Sequence, residues 1–333
     1  MHEQIIYFGA PGTGKSYYVN EKIRGVNRNK VFRVTIHPEF TYSDFIGQLL
    51  PEFNPTRGNT DFVFKEGPFT RALVEAYSDS NQNVYLILEE LSRGNVAAIF
   101  GDIFQLLDRD RFFVSMYPIR NKDIASKIVQ LHSDEIVLPS NFNIIGTVNV
   151  NDQNVFPMDT AFKRRFSWEY ISTMPVINSI SGNREKELNN PKILIPVDRN
   201  RENDLSTNWQ SFYCALNIFI TDKERGLGKS EDKQIGQFFV DFGDTLTTKS
   251  YSEDAEIAAG AMSKINSIIK NKLLLYLWQD VQGISSFNQA SKLFATEIKN
   301  FDELYTNYGV NKVFSDNFVG NFLRPNIDKY PYY

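Results

Sequence analysis

The chain has 333 residues, of which 42% are hydrophobic and 23% are charged, and its formal net charge is -4. This composition is that of a folded globular protein with room for two domains. The mild charge gives no support for a broad electrostatic surface for nucleic acid, and it leaves a local basic patch open. The one cysteine, Cys214, excludes an internal disulfide framework and a cysteine-based zinc site. No apolar run is long enough to span a bilayer, and the first motif begins at residue 8 with no room for a signal peptide, so we expect a cytoplasmic protein.

A full match to the phosphate-loop pattern G-x-x-x-x-G-K-[ST] stands between a strand-like run, residues 4–8, and a helical stretch, residues 14–24. The matching residues are Gly9, Ala10, Pro11, Gly12, Thr13, Gly14, Lys15 and Ser16. The glycines allow backbone N–H groups to turn towards an anion, Lys15 reaches the β- and γ-phosphates, and the Ser16 hydroxyl ligates Mg²⁺. A plain glycine-rich turn would not need this strand–loop–helix order. The stretch therefore predicts a nucleotide site.

The first half of the chain alternates strand-like and helical segments, which is typical of a parallel α/β sheet. Further strands are predicted at residues 31–36, 84–88, 141–147 and 165–171, and helices at residues 69–77, 96–107 and 157–163. The intervening residues 37–67 are too long for a plain connection, so we expect a small hairpin or a partner-contact insertion there.

The alternation of strand-like and helical segments ends after residue 173. We expect a linker over residues 174–208, and then helices over residues 209–220, 253–281 and 290–308, the second one capped by Ser252. The predicted domains are residues 1–173, an α/β nucleotide-binding core, and residues 174–333, a linker with a mostly helical subdomain.

Acidic and amide side chains follow two predicted strands. Glu89 and Glu90 end the most apolar strand, and Asn149 follows a later one. Phosphoryl transfer to water needs one carboxylate near Mg²⁺ and another to orient or deprotonate the water. Glu89 fits the first role, Glu90 the second, and Asn149 can hold the attacking water. The alternatives are two exposed acids at a strand end and a simple Asn/Asp turn.

Two adjacent arginines, Arg164 and Arg165, follow a short predicted helix. In a ring they could reach a neighbouring subunit's nucleotide, as an arginine finger does. The alternative is a solvated basic face.

Four stretches together resemble the AAA+ superfamily, and specifically its McrB-like branch, over residues 5–170. They are FGAPGTGKS (8–16), LILEELSRGNVAAIFGDIFQLLD (86–108), IVLPSNFNIIGTVNVND (136–152) and MDTAFKRRF (158–166). The resemblance implies an α/β core with a helical lid, and Asp152 as part of an Asn-x-x-Asp signature that inclines towards GTP over ATP. Two residues depart from the branch: Glu89 replaces an Asp, and Val148 replaces a Met.

The resemblance also implies a Mg²⁺-dependent GTPase or ATPase that forms a ring, a hexamer, in restriction of foreign DNA. The sequence contains no nuclease constellation, so cutting would belong to a partner such as an McrC-like nuclease, through which DNA is met. Two alternatives stay open: a nucleotide-gated regulatory switch, and a protein remodeller of the MoxR type.

Overall fold

The structure is a computed structural model that describes residues 2–56, 58–149, 156–176, 189–198, 204–283, 291–327 and 329. The chain forms two compact units. The first comprises Met1–Phe8 and Lys15–Tyr170, and the second comprises Gly9–Gly14 and Ile171–Tyr333.

The first unit is built on a five-stranded sheet. Its strands, together with those of two small hairpins, are β1 (Gln4–Gly9), β2 (Val31–Thr35), β3 (Gly47–Asn54), β4 (Asn59–Glu66), β5 (Val84–Glu89), β6 (Ile119–Arg120), β7 (Glu135–Ile136), β8 (Phe142–Asn149) and β9 (Ser167–Tyr170). The sheet order is β2-β5-β8-β1-β9, with parallel pairing of β2 to β5, β5 to β8 and β1 to β9. The predicted parallel α/β fold is therefore confirmed.

In the part of the first unit that the structure describes, six α-helices accompany this sheet: α1 (Lys15–Lys22), α2 (Tyr42–Ile46), α3 (Pro68–Ser78), α4 (Val96–Phe100), α5 (Lys122–Ala125) and α6 (Thr160–Lys163). The predicted helix over residues 96–107 is shorter than expected. It changes to a 3-10 helix (Gly101–Leu107) at Gly101, whose φ of 50° is outside the α-helical region.

Burial explains why the two central strands are apolar throughout. Every residue of β5 is buried except Glu89, and every residue of β8 is buried except Asn149. A parallel strand covered on both faces needs a continuous apolar run. Both strands therefore change from apolar to polar at their carboxyl ends, which lie at one edge of the sheet.

The insertion after β2 contains the expected hairpin. Thr41 and Asp44 form a capping box that opens α2, and β3 then pairs antiparallel with β4. Phe62 and Phe64 stand two residues apart in β4 and therefore share one face of the hairpin, together with Phe53 of β3. Phe64 is buried in the core of the first unit, whereas Phe53 and Phe62 are 65% and 71% exposed.

Within its described residues, the second unit has a hairpin and six α-helices: β10 (Lys192–Ile195), β11 (Leu205–Asn208), α7 (Trp209–Thr221), α8 (Asp244–Ser250), α9 (Ala255–Lys272), α10 (Leu274–Tyr276), α11 (Phe301–Asn307) and α12 (Asp316–Phe318). Its core surrounds α7, most of whose side chains are buried. No helix in the described ranges combines the length and hydropathy needed to cross a membrane.

Three expectations for this half of the chain were wrong. Residues 174–208 contain the hairpin of β10 and β11, and are not only a linker. The cap of α9 is Asp254, whose carboxylate accepts from two backbone N–H groups, in place of Ser252. Of the helix expected at residues 290–308, the described residues 291–308 contain only α11, because Phe294 forms an extended bridge with Phe314 and Asn300 caps a new helix start.

Candidate functional site

The phosphate loop has the backbone that its glycines permit. Gly12 and Gly14 adopt φ values of 77° and 90°, a region that residues with a Cβ rarely occupy. The Thr13 hydroxyl donates to the Ala10 carbonyl at 3.0 Å, which closes the turn from inside. A Cβ on Gly9 would lie 2.5 Å from the Ile171 carbonyl oxygen. The sequence thus meets its conformational demands with glycine at each tight position.

The last two residues of the motif open α1. Lys15 is buried and Ser16 is exposed, and the first turn of α1 carries no acidic side chain. A helix start without nearby carboxylates keeps its positive dipole end available to an anion. Lys15 is placed as a cation at that end, and Ser16 offers a hydroxyl oxygen.

Glu90 and Asn149 lie together at the carboxyl edge of the sheet. The Asn149 side-chain amide donates to both carboxylate oxygens of Glu90, at 3.2 and 3.0 Å. The Arg93 Nε lies 3.4 Å from one of the same oxygens. Glu90 itself adopts φ 57° and ψ 40°, a left-handed conformation that costs a non-glycine residue about 1 kcal/mol or more. Its backbone N–H donates to Thr147 Oγ1 at 3.2 Å, which helps to hold this turn.

Glu89 is held by two donors. Arg33 Nη1 donates to one carboxylate oxygen at 2.9 Å, and the Thr147 hydroxyl donates to the other at 2.6 Å. Arg33 also donates to Asn20 Oδ1 in α1 at 2.6 Å. The Glu89 carboxylate is thus fixed at the strand end, with its charge compensated by a neighbouring strand.

The oxygen donors of this region suit Mg²⁺. In phosphate sites Mg²⁺ takes one or two protein oxygens and completes its shell with water and phosphate. The Ser16 hydroxyl and the Glu89 carboxylate are donors of that kind. No group of three histidine, cysteine or acidic side chains that could hold a metal by itself exists in the described part of the chain.

The two predicted finger arginines have different surroundings. Arg165 Nη2 donates to Asp108 Oδ2 at 2.6 Å, and its guanidinium lies 4.2 Å from the centre of the Phe104 ring. Its side chain is 10% exposed. Arg164 is exposed, and among the described residues no acidic side chain pairs with it.

Sequence reasoning missed Thr147 and Arg33, which link Glu89 and Glu90 to β8 and β2. Thr147 stands two residues before Asn149, so the two side chains share one face of β8. That period of two was the available signal for Thr147. Arg33 stands within an apolar strand, where a charged side chain was itself a signal. The predicted Asp152 lies outside the described residues.

Comparisons with known proteins agree with this reading. Residues 4–166 match the AAA domain (dynein-related subfamily). The Type II restriction enzyme BsuMI component YdiS of Bacillus subtilis (strain 168) is 34% identical over 302 residues, which cover 83% of this chain and 78% of that protein. The Type IV methyl-directed restriction enzyme EcoKMcrB subunit of Escherichia coli (strain K12) is 26% identical over 174 residues, which cover 50% of this chain and 35% of that protein.

Proposed function

This chain belongs to the McrB-like branch of the AAA+ superfamily, and we propose that it is the Mg²⁺-dependent nucleoside triphosphatase of a restriction system. The observation that carries the proposal is the pairing of Glu90 with Asn149 at the carboxyl end of the central strands. A carboxylate held by an amide at that position can orient and deprotonate a water molecule beside the terminal phosphate.

Each residue of the site has a role in this proposal. The loop of residues 9–14 binds phosphate oxygens through its backbone N–H groups, which all of them except Pro11 possess, and Lys15 supplies the cation. Glu90 takes the proton of the attacking water, and Asn149 senses the γ-phosphate and keeps the Glu90 carboxylate in place. Ser16 would hold Mg²⁺ directly and Glu89 would support it. Bound Mg²⁺ neutralises charge on the phosphates.

The substrate is GTP or ATP. The Asn-x-x-Asp pattern of Asn149 and Asp152 inclines the proposal towards GTP by resemblance. Phosphate chemistry is common to both nucleotides, so a direct comparison decides between them.

We assign the finger role in a ring to Arg164. Arg165 is already engaged with Asp108 and Phe104 in its own subunit, whereas Arg164 is exposed and can reach a neighbour. The active oligomer would be a ring, a hexamer by resemblance, with each nucleotide site completed by the adjacent subunit. Hydrolysis would drive a partner nuclease of the McrC kind, through which the assembly meets DNA.

The test is turnover and binding of GTP and ATP with Mg²⁺ by the wild type and by Lys15→Ala. Lys22→Ala is the matched control, because Lys22 lies in the same helix outside the motif and its side chain is 37% exposed. We expect Lys15→Ala to lose nucleotide binding and Lys22→Ala to retain it. Equal turnover in all three proteins would contradict the proposal.

One observation favours a second candidate function, a nucleotide-gated switch with negligible turnover. The Glu89 carboxylate is engaged on both oxygens by Arg33 and Thr147, so it is less available to support a metal ion. Single-turnover measurement with excess protein separates the two functions. Tight binding without product formation, in the presence of the assembled ring, would favour the switch.

A further inference from the structure

A short segment of the second unit, residues 234–239, lies directly against the phosphate loop; we call it the strap. The Gly236 N–H donates to the Pro11 carbonyl and the Phe238 N–H donates to the Gly12 carbonyl, both at 2.8 Å. The strap therefore pairs with the loop through main-chain groups, in the manner of a short added strand.

This pairing determines which way the loop's donors point. In a trans peptide the carbonyl of one residue and the N–H of the next residue point in opposite directions. Since the strap holds the Pro11 and Gly12 carbonyls, the N–H groups of Gly12 and Thr13 are directed away from the strap's amides. Two successive backbone donors are thus fixed in orientation before any anion arrives, which is the arrangement that an anion-binding concavity needs.

The contact is so close that it requires glycine on both sides. A Cβ on Gly236 would lie 2.4 Å from the carbonyl carbon and oxygen of Gly12 and from the Thr13 nitrogen. A Cβ on Gly12 would lie 2.3 Å from the Phe239 nitrogen. These distances are well below van der Waals contact, and backbone atoms cannot move aside as a flexible side chain can. Gly236 is therefore as specific a requirement of this loop as Gly12.

The strap is itself held by buried side chains of α7. The Asn217 amide donates to the Ile235 carbonyl at 2.8 Å and accepts from the Ile235 N–H at 2.9 Å. The Trp209 indole N–H donates to the Gln237 carbonyl at 2.8 Å. Trp209 is fully buried and Asn217 nearly so, which makes both hydrogen bonds inaccessible to water. The loop is in this way tied to the core of the second unit.

We propose that the strap is the element that positions the phosphate loop for nucleotide, and that Gly236 is a positioning residue for nucleotide binding. This inference rests on the proposed nucleotide-binding function. It adds that the orientation of the loop's phosphate donors depends on a segment more than 200 residues later in the chain. By reciprocity, if the strapped loop binds nucleotide better than the unstrapped loop, bound nucleotide must stabilise the strap.

The experiment compares Gly236→Ala with Gly260→Ala, using fluorescent methylanthraniloyl derivatives of GTP and ATP with Mg²⁺. Gly260 lies in α9 of the same unit, and a Cβ there meets nothing within 4 Å. We expect Gly236→Ala to raise the nucleotide Kd by about tenfold or more, since small misplacements of binding groups are costly, with kcat at saturation changed far less. The Gly260→Ala control should keep the wild-type Kd.

Hydrogen exchange of the wild-type protein provides the second, independent measurement. Saturating nucleotide should slow amide exchange in residues 234–239 as well as in the loop, because opening the strap would then also weaken nucleotide binding. This measurement tests the proposed role of the strap even if Gly236→Ala fails to fold.

The outcomes separate the two proposals. If the wild type binds neither nucleotide, the proposed function fails. If it binds nucleotide while exchange in residues 234–239 is unchanged, or while folded Gly236→Ala keeps its Kd within twofold, the strap inference alone is overturned. Weakened binding by Gly236→Ala, together with slowed exchange in the wild type, supports it.

Discussion

Asn149 and Glu90 are 59 residues apart in the chain, yet the amide of the first donates to both carboxylate oxygens of the second. Both oxygens accept from one nitrogen, which orients the plane of the carboxylate. Arg93 approaches one oxygen at 3.4 Å, which is longer than a charge-assisted hydrogen bond. The arrangement presents the oriented carboxylate directly after the end of a buried strand.

Replacing Glu90 by Gln tests this carboxylate. The side-chain carbonyl of glutamine still accepts from Asn149, so the fold should be retained, but glutamine cannot take a proton from water. We expect nucleotide turnover to fall by a factor of about 10² to 10⁴, while nucleotide Kd changes little. Glu39→Gln is the control, because Glu39 is exposed. A Glu90→Gln protein that retained a third or more of the wild-type turnover would contradict the assignment.

We predict different effects on stability for substitutions of the two adjacent arginines. Arg165→Ala removes a partly buried ion pair with Asp108 and a cation–π contact with Phe104, so we expect a loss of about 2 kcal/mol in the free energy of unfolding. Arg164→Ala should change stability by no more than about 0.5 kcal/mol. Denaturant unfolding of the isolated subunits measures both effects.

For turnover, the order of the two arginine variants should be the opposite of their order for stability. Arg164→Ala subunits should lose about 10³-fold in turnover in the assembled protein, because the proposal has Arg164 act on the neighbouring subunit's nucleotide. Mixed with Glu90→Gln subunits, they should recover activity that depends on the mixing ratio. Activity that does not depend on the mixing ratio would show that Arg164 does not act between subunits.

The Arg109 guanidinium donates to several main-chain carbonyl groups in the segment that leads from α4 into β8. Burial lowers the pKa of its guanidinium to about 9. The guanidinium donates to one side chain and four carbonyl groups, those of Gln4, Phe113, Leu138, Pro139 and Phe142.

We expect Arg109→Met to lower the free energy of unfolding by about 3 kcal/mol, because several buried carbonyl groups lose their donor. Arg111→Met is the matched control. Arg111 is two residues away and exposed, and its guanidinium lies 4.7 Å from the centre of the exposed Phe112 ring. Thermal and denaturant unfolding compare the two variants, and similar midpoints would refute the role given to Arg109.

His2 gives a pH dependence whose sign can be worked out. Burial, and then the nearby charge of Arg109, lower the pKa of His2 from 6.5 to about 4. Between these values the unfolded chain binds more protons than the folded chain, so stability is complete above pH 6.5 and declines as the pH falls towards 4.

Because His2 is only partly buried, the loss attributable to it should be on the order of 1 kcal/mol. His2→Gln should remove that part of the pH dependence, and the exposed His132→Gln should leave it unchanged. Unfolding midpoints from pH 7 to pH 4 provide the measurement. Identical slopes for His2→Gln and wild type would show that another group is responsible.

The proximity of Glu90 and Asn149 was predictable, because parallel strands bring their carboxyl ends to one edge and both residues end apolar runs. The partner of Arg165 was not. Asp108 lies 57 residues earlier, and its position depends on how residues 109–140, which contain only short elements, return to the sheet. The strap could not be predicted from the sequence either, because a contact between two backbones leaves no sign in the sequence except a glycine on each side. Glycine is common enough in turns that Gly236 alone could not indicate its partner.

The left-handed backbone of Glu90 has a consequence for how this protein fails when heated. The strained turn persists only while Thr147 and the strands around it hold it in place. When those strands loosen slightly, Glu90 gains free energy by relaxing to an ordinary conformation. Its carboxylate would then leave Asn149 while the core is still intact. Thermal inactivation should therefore precede loss of the fold.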